Sequence, residues 1–168
     1  IQSPIYDIRN AAKLEGSVGL KHPSIPLPLD MYGTLRKNSK GYDLANDTPL
    51  AALDSTAQEL RNRIWQSHPL LANTDSLEQG HSVAITNPAQ NDEIVGYVQE
   101  ADLKHVEIAL TAAEQTQSEW SNTPKDQRAQ YLKRAADLME SRIQELMVLL
   151  CRESGKTYAN AIAEVREA

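Results

Sequence analysis

Cys151 is the single thiol of the chain and the first residue to examine for chemistry. A thiolate nucleophile needs a base or a positive field, and access from solvent. Cys151 follows the apolar run Leu146–Leu150. Arg152 adjoins it in sequence but stands about 100° away around a helix. Free cysteine is usually a small buried core residue, and that is the expected role here. The four histidines are His22, His68, His81 and His105. No two have the i, i+3 or i, i+4 spacing of a helical metal pair, and two of them precede proline. No metal site is expected.

Two other patterns invite a chemical reading. Glu140, Glu145 and Glu153 alternate with Arg134, Arg142 and Arg152. On a helix this is a solvated face with local ion pairs, each worth about 0.3–0.5 kcal/mol, and not an acid/base pair. Glu164, Arg166 and Glu167 could instead face a partner, although solvation is the simpler expectation. Gly155-Lys156-Thr157 imitates the end of a phosphate-binding loop. The first glycine of that loop would fall at Leu150, inside a predicted helix, so the match is rejected. The residues therefore predict no catalytic, cofactor-binding or metal-ligating position in this chain.

The elements that would position these groups fall into three zones. Residues 1–47 read as an extended arm. A short helix is predicted at Asp7–Leu14, stopped by Gly16. The stretch His22-Pro23-Ser24-Ile25-Pro26-Leu27-Pro28-Leu29 follows. Its prolines fix φ, remove donors and push their predecessors to extended geometry. It is predicted to run as a polyproline-like strap with Ile25, Leu27 and Leu29 against a protein surface.

Residues 48–79 predict a linker helix and a polar loop. Thr48 would cap the helix, and Leu50, Leu53, Ala57, Leu60 and Ile64 would form its stripe up to His68-Pro69. Residues 80–168 predict a hairpin and helices. Ser82–Thr86 and Glu93–Val98 alternate as strands around the turn-forming Asn87-Pro88-Ala89-Gln90-Asn91-Asp92. Asp102 would cap a helix with Leu103, Val106, Leu110 and Trp120 on its apolar face. A helix from Thr123-Pro124 would bury one face from Leu132 through Ala136, Met139, Ile143 and Leu146 to Leu150. Gly155 is a left-handed stop, after which Tyr158–Ala168 resumes helix with Ala159, Ile162, Val165 and Arg166 on one side. The fold class is mainly α with a small β-hairpin, an incomplete α/β arrangement.

Composition narrows the function classes. The chain has 168 residues, 5% aromatics and no Phe, so its core must come from aliphatic side chains. The net charge is −6 and the longest cationic cluster is Arg36, Lys37, Lys40, so no nucleic-acid partner is expected. No apolar run approaches the roughly 20 residues that span a bilayer. With one cysteine a reducing compartment is the simpler setting. Ile1 and Ala168 both read as interior positions of something longer, and the chain is expected to be a piece of a larger enzyme.

Three motifs, in order, resemble the aldehyde dehydrogenase superfamily. The first is Thr86-Asn87-Pro88-Ala89 with Ile94-Val95-Gly96-Tyr97-Val98. The second is Trp120-Ser121-Asn122-Thr123-Pro124, then Arg128, Leu132 and Arg134-Ala135-Ala136-Asp137-Leu138-Met139-Glu140. The third is Arg152-Glu153-Ser154-Gly155-Lys156-Thr157. The strap, the run Met31-Tyr32-Gly33 and the ending Ala159–Ala168 look like the proline utilization A family of bacterial bifunctional enzymes.

That resemblance implies a parent protein with a flavin-dependent proline dehydrogenase barrel and an NAD-dependent aldehyde dehydrogenase domain. The first makes pyrroline-5-carboxylate, which hydrolyses to glutamate semialdehyde. The second oxidises that aldehyde to glutamate, after transfer through an internal route. FAD and NAD are implied for the parent, and neither for this segment. The chain would lie between the two active sites: 1–47 a connector arm, 48–79 a linker, 80–168 the truncated start of the aldehyde dehydrogenase domain. The remainder of the parent would be its partner, in a cytoplasmic homo-oligomer, with peripheral association at the inner membrane face an open alternative. The competing reading is a free-standing helical scaffold module.

Overall fold

The computed structural model describes residues 24–71 and 81–168, together with Asp7, Asn10, Lys13 and Leu14, which are helical. The rest of the predicted Asp7–Leu14 helix, its Gly16 stop and most of the loop before Gly80 lie outside the described residues. The chain divides into two compact units, residues 1–40 and residues 41–168.

In the first unit the strap is shorter than predicted. Leu27 is extended, but Pro28–Asp30 forms a 3-10 turn. The fixed φ of Pro28 suits the first position of such a turn as well as it suits an extended strand. The Asn38 amide donates to the Leu29 carbonyl at 3.0 Å and closes the following loop. Ile25 and Leu27 are exposed, and Leu29 is half-buried. The Arg36 guanidinium lies 4.1 Å over the Tyr32 ring.

Among its described residues the second unit carries five helices and a three-stranded sheet: α1 (Asp47–Glu59), β1 (Trp65–Ser67), β2 (Ser82–Asn87), β3 (Gln90–Gln99), α2 (Leu103–Asn122), α3 (Lys125–Ser141), α4 (Ile143–Ser154) and α5 (Tyr158–Glu167). The fold class is thus as predicted, mainly helical with a small sheet. The cap of α1 is Asn46, whose side chain accepts from the Thr48 amide, and not Thr48 itself. The helix ends at Glu59, well short of His68-Pro69. Ile64 precedes a strand that the helical spacing hid: Trp65–Ser67 pairs parallel to β3, opposite Gly96–Val98.

β2 and β3 form the predicted hairpin, with a turn of only Pro88 and Ala89. The Asn87 side chain accepts from the Ala89 amide at 2.9 Å and braces that turn, so Gln90–Asp92 join the strand. Register irregularities beyond Ile85 offset β2 against β3. Gly96 lies at the crossing of β1 and β3. A Cβ there would sit 2.6 Å from the Trp65 carbonyl oxygen, so only glycine lets the two backbones approach.

The core gathers on α4. Leu53, Met147, Val148 and Ala161 are buried, with Tyr42, Leu44, Ile143, Leu150, Tyr158 and Ile162 packed around them. Fully burying a side chain such as Leu53 stabilises by about 1.5–3 kcal/mol. The predicted Leu132–Leu150 face does not run unbroken. Arg142 leaves helical geometry (φ −114, ψ 19) and separates α3 from α4. The Ser141 hydroxyl donates to the Leu138 carbonyl at 2.8 Å, which competes with continued helix. Leu132 is 75% exposed, while Met147 and Val148 turn inward. On α5 Ala161 is buried and Ile162 packs beside it, while Ala159 is exposed. The α2 stripe is also uncovered: Leu103, Val106, Leu110 and Trp120 are all exposed, Trp120 stacking 6.0 Å from Tyr131.

A hydrogen-bonded chain ties Tyr42 into this core. Its hydroxyl donates to the Pro49 carbonyl at 2.5 Å and accepts from Gln144 Nε2 at 2.8 Å. Gln144 Oε1 in turn accepts from the Thr56 hydroxyl at 2.7 Å. Every part-buried polar atom of that chain has a partner, as burial requires.

Candidate functional site

Arg152 leaves α4 one residue after Cys151 and one turn before the Gly155 stop. Gly155 adopts φ 63 and its amide donates to the Cys151 carbonyl, which ends the helix. The Arg152 side chain turns under the sheet and keeps only 12% of its surface exposed. Its Nε and Nη2 donate to Glu93 Oε1 at 2.9 and 2.6 Å. Its Nη1 donates to the Leu60 and Arg63 carbonyls, both at 3.0 Å. Four hydrogen bonds therefore come from a fork that holds five donors.

The partners of Arg152 are engaged as well. Glu93 Oε2 accepts from Asn87 Nδ2 at 2.8 Å. The Asn87 and Arg152 hydrogen bonds hold the Glu93 carboxyl below the usual carboxylate range, against a smaller opposing effect of burial. The Arg152 guanidinium carbon lies 5.0 Å from the Trp65 ring centroid, and that of Arg63 lies 5.6 Å from it. Arg63 reaches Glu145 Oε1 at 3.3 Å, and Arg142 reaches Glu145 Oε2 at 2.9 Å. Hydrogen bonding from Arg142 draws the Glu145 carboxyl below its ordinary value.

This arrangement corrects the expected solvated helix face. Arg142 and Glu145 do form the local i, i+3 pair. Arg152 does not pair locally: its carboxylate partner stands 59 residues earlier, on β3. The junction joins the end of α1, the start of β1, the hairpin and α4. Held ionised, the Glu93 carboxyl has no proton to give as a general acid, and both its oxygens already accept hydrogen bonds. What the cluster can do is fix the relative placement of four elements.

The other candidate residues stay apart. Cys151 is partly buried against the core, and burial pushes its thiol up. His105 is buried, with its amide and ring nitrogen both against Asp102, where it completes the cap of α2. His68 and His81 are exposed, and His22 lies outside the described residues. Gly155-Lys156-Thr157 has local duties. Lys156 pairs with Glu164 at 2.5 Å, and Thr157 caps α5 by accepting from the Asn160 amide. Glu164 thus has an intrachain partner, and the Arg166 side chain lies over Gly41.

Sequence reasoning missed the Glu93–Arg152 pair because nothing local announces it. A faint signal was available. Glu93 opens an otherwise apolar strand segment, and Arg152 sits beside inward-facing Cys151.

A cleft of about 500 Å³ lies beside the junction, lined by Arg61, Cys151, Arg152 and Tyr158 among others. No helix is long and apolar enough to cross a membrane among the described residues.

Comparison with known proteins connects this geometry to a family. The model of the aldehyde dehydrogenase family matches residues 75–168. The bifunctional protein PutA of Klebsiella aerogenes is 46% identical over 168 residues, all of this chain and 13% of that protein. PutA of Escherichia coli K12 has the same identity and coverage. Among solved structures, proline utilization A from Bdellovibrio bacteriovorus superposes with a TM-score of 0.74 at 26% identity, over 93% of this chain and 16% of that one. The 1-pyrroline-5-carboxylate dehydrogenase of Thermus superposes with a TM-score of 0.70 at 25% identity, over 87% of this chain and 27% of that one.

Proposed function

The chain belongs to the aldehyde dehydrogenase family, and from that premise we propose that it is the connector and opening part of the dehydrogenase domain in a bifunctional proline-catabolic oxidoreductase. The observation that carries this reading is the 46% identity to PutA over all 168 residues. The chain spans about 13% of the length of those relatives, so the activity is that of a longer polypeptide. On this reading the parent uses FAD to convert proline to pyrroline-5-carboxylate. It then uses NAD to oxidise glutamate semialdehyde to glutamate.

Within the parent, residues 1–47 are the connector arm, 48–79 the linker, and 80–168 the first hairpin and helices of the dehydrogenase domain. The segment contributes no catalytic, cofactor-binding or metal-ligating residue. Its part is mechanical. The Arg152 junction and the α4 core hold the linker against the hairpin. The uncovered stripe of α2 and α3 suits a piece that packs against the rest of its own polypeptide. The parent is a cytoplasmic homo-oligomer in this account.

The test is turnover by the parent polypeptide. Purified from its gene and supplied with pyrroline-5-carboxylate and NAD, it is expected to form one NADH per glutamate. A polypeptide that forms neither contradicts the proposal. A second reading, a free-standing helical scaffold, is favoured only by the compactness of residues 41–168. A reading frame that stopped at Ala168, with a cooperative unfolding transition of a monodisperse 18.6 kDa species, would support it instead.

A further inference from the structure

We propose that the cleft between α1, β3, α4 and α5 binds a small organic carboxylate, recognised by Arg61. The cleft's own residues carry the proposal, and only the choice of the parent polypeptide as the test protein rests on the family reading. Ala57 and Val148 supply apolar lining, and Arg61, Asn62, Gln90 and Tyr158 bring polar side chains to the same space. None of those four side chains has a hydrogen-bond or ion-pair partner among the described residues. They contrast with Arg152 and Glu93, which line the same cleft and are spent on each other and on the backbone.

Charge gives the sign of the ligand. The cleft is lined by two guanidinium groups, Arg61 and Arg152, and by one carboxylate, Glu93. Burial keeps the other two titratable lining groups, Cys151 and Tyr158, in their neutral forms at pH 7. Within the lining itself one positive charge is therefore in excess, with Asp54 acting on Tyr158 from beyond it, so the ligand expected is singly charged and held mainly by the Arg61 fork. Arg61 acts through space on Glu93 but donates no hydrogen bond among the described residues, and its planar fork suits the two oxygens of a carboxylate. Asn62 and Gln90 can donate to the same oxygens or accept from a ligand N–H. The apolar lining suits a short hydrocarbon body, and a volume near 500 Å³ is ample for one of a few carbons.

The experiment uses butyrate as the probe and the parent polypeptide as the protein. Saturation-transfer NMR reads contact between protein and butyrate methyl protons, and butanol serves as the uncharged control. Saturable butyrate binding is expected, with butanol showing none, and the part of it lost in Arg61→Gln is the part that belongs to this cleft, because the parent's proposed catalytic sites also take carboxylates. Arg61→Gln is expected to weaken butyrate binding about tenfold, and Arg61→Lys to weaken it less. Arg61 is exposed at its helix end, so both variants should keep the parent circular dichroism spectrum. Undetectable butyrate binding overturns the proposal, as does equal binding of butanol or an unchanged affinity in folded Arg61→Gln. Failure here leaves the oxidoreductase reading intact, because dehydrogenase turnover is measured separately.

Discussion

Arg152 and Glu93 meet through two hydrogen bonds to one carboxylate oxygen, at 2.9 and 2.6 Å, and so bind the end of α4 to the hairpin strand β3. The same guanidinium clamps the carbonyls on which α1 ends and β1 begins. Removing one partner of such a pair leaves a largely desolvated charge and two orphaned carbonyls. Arg152→Gln is expected to destabilise residues 41–168 by about 3 kcal/mol. Arg152→Lys is expected to recover only part of this, because an ammonium cannot reproduce the fork. Urea unfolding followed by circular dichroism measures both.

The pair also sets a pH dependence. Hydrogen bonds from Asn87 and Arg152 lower the Glu93 carboxyl below its reference value of 4.5. A depressed folded-state value gives stability that is present above the unfolded value and lost as pH falls through the folded one. Unfolding free energy should therefore be flat near neutrality and fall as pH drops below about 4.5. Glu93→Gln should flatten that fall, and the part that remains should include Glu145, which Arg142 lowers in the same way. Urea titrations between neutral pH and pH 3 make the comparison.

Gly96 tests the parallel pairing of β1. A methyl group at 2.6 Å from the Trp65 carbonyl cannot be accommodated without moving backbone. Gly96→Ala is expected to cost at least about 1 kcal/mol and to raise amide exchange across Trp65–Ser67. Unchanged exchange there would mean that β1 does not depend on this close approach.

What could be read from the sequence divides by range. The hairpin, the Asp102 cap and the Gly155 stop were legible because turn residues, capping side chains and left-handed glycines act within a few residues. β1 was not. Three residues carry too little periodicity, and Leu60 and Ile64 extended the helical pattern across them. The break at Arg142 was also invisible, since one non-helical residue hardly shifts a stripe of apolar positions. The Leu132 end of that stripe is exposed, while Met147 and Val148 are buried, because burial depends on which neighbours are present. At the candidate site, the local Arg142–Glu145 pair could be argued from its i, i+3 spacing. The Glu93–Arg152 pair could not, because its meaning is entirely long-range.

Cys151 is expected to resist alkylation. Its thiol is partly buried, and burial raises it above the ordinary range, so little thiolate is present at pH 7. Iodoacetamide should label it slowly in the native chain and quickly in denaturant. Rapid native labelling would point to a reactive thiol.

The uncovered helix faces give a contrast between the isolated chain and the parent. Leu110 and Leu132 are 66% and 75% exposed here. Replacing both by Gln should change the stability of the isolated chain by less than about 0.5 kcal/mol per site and reduce its self-association. In the parent, where the rest of the polypeptide is proposed to cover them, the same pair should lower the thermal midpoint clearly.

The central claim is that this chain serves an aldehyde dehydrogenase without supplying its chemistry. The most direct test is NADH formation from pyrroline-5-carboxylate and NAD, measured side by side for the isolated 168-residue chain and the parent polypeptide. The account predicts turnover by the parent and none above background by the chain. Turnover by the isolated chain, or its absence from a folded, NAD-binding parent, would contradict it.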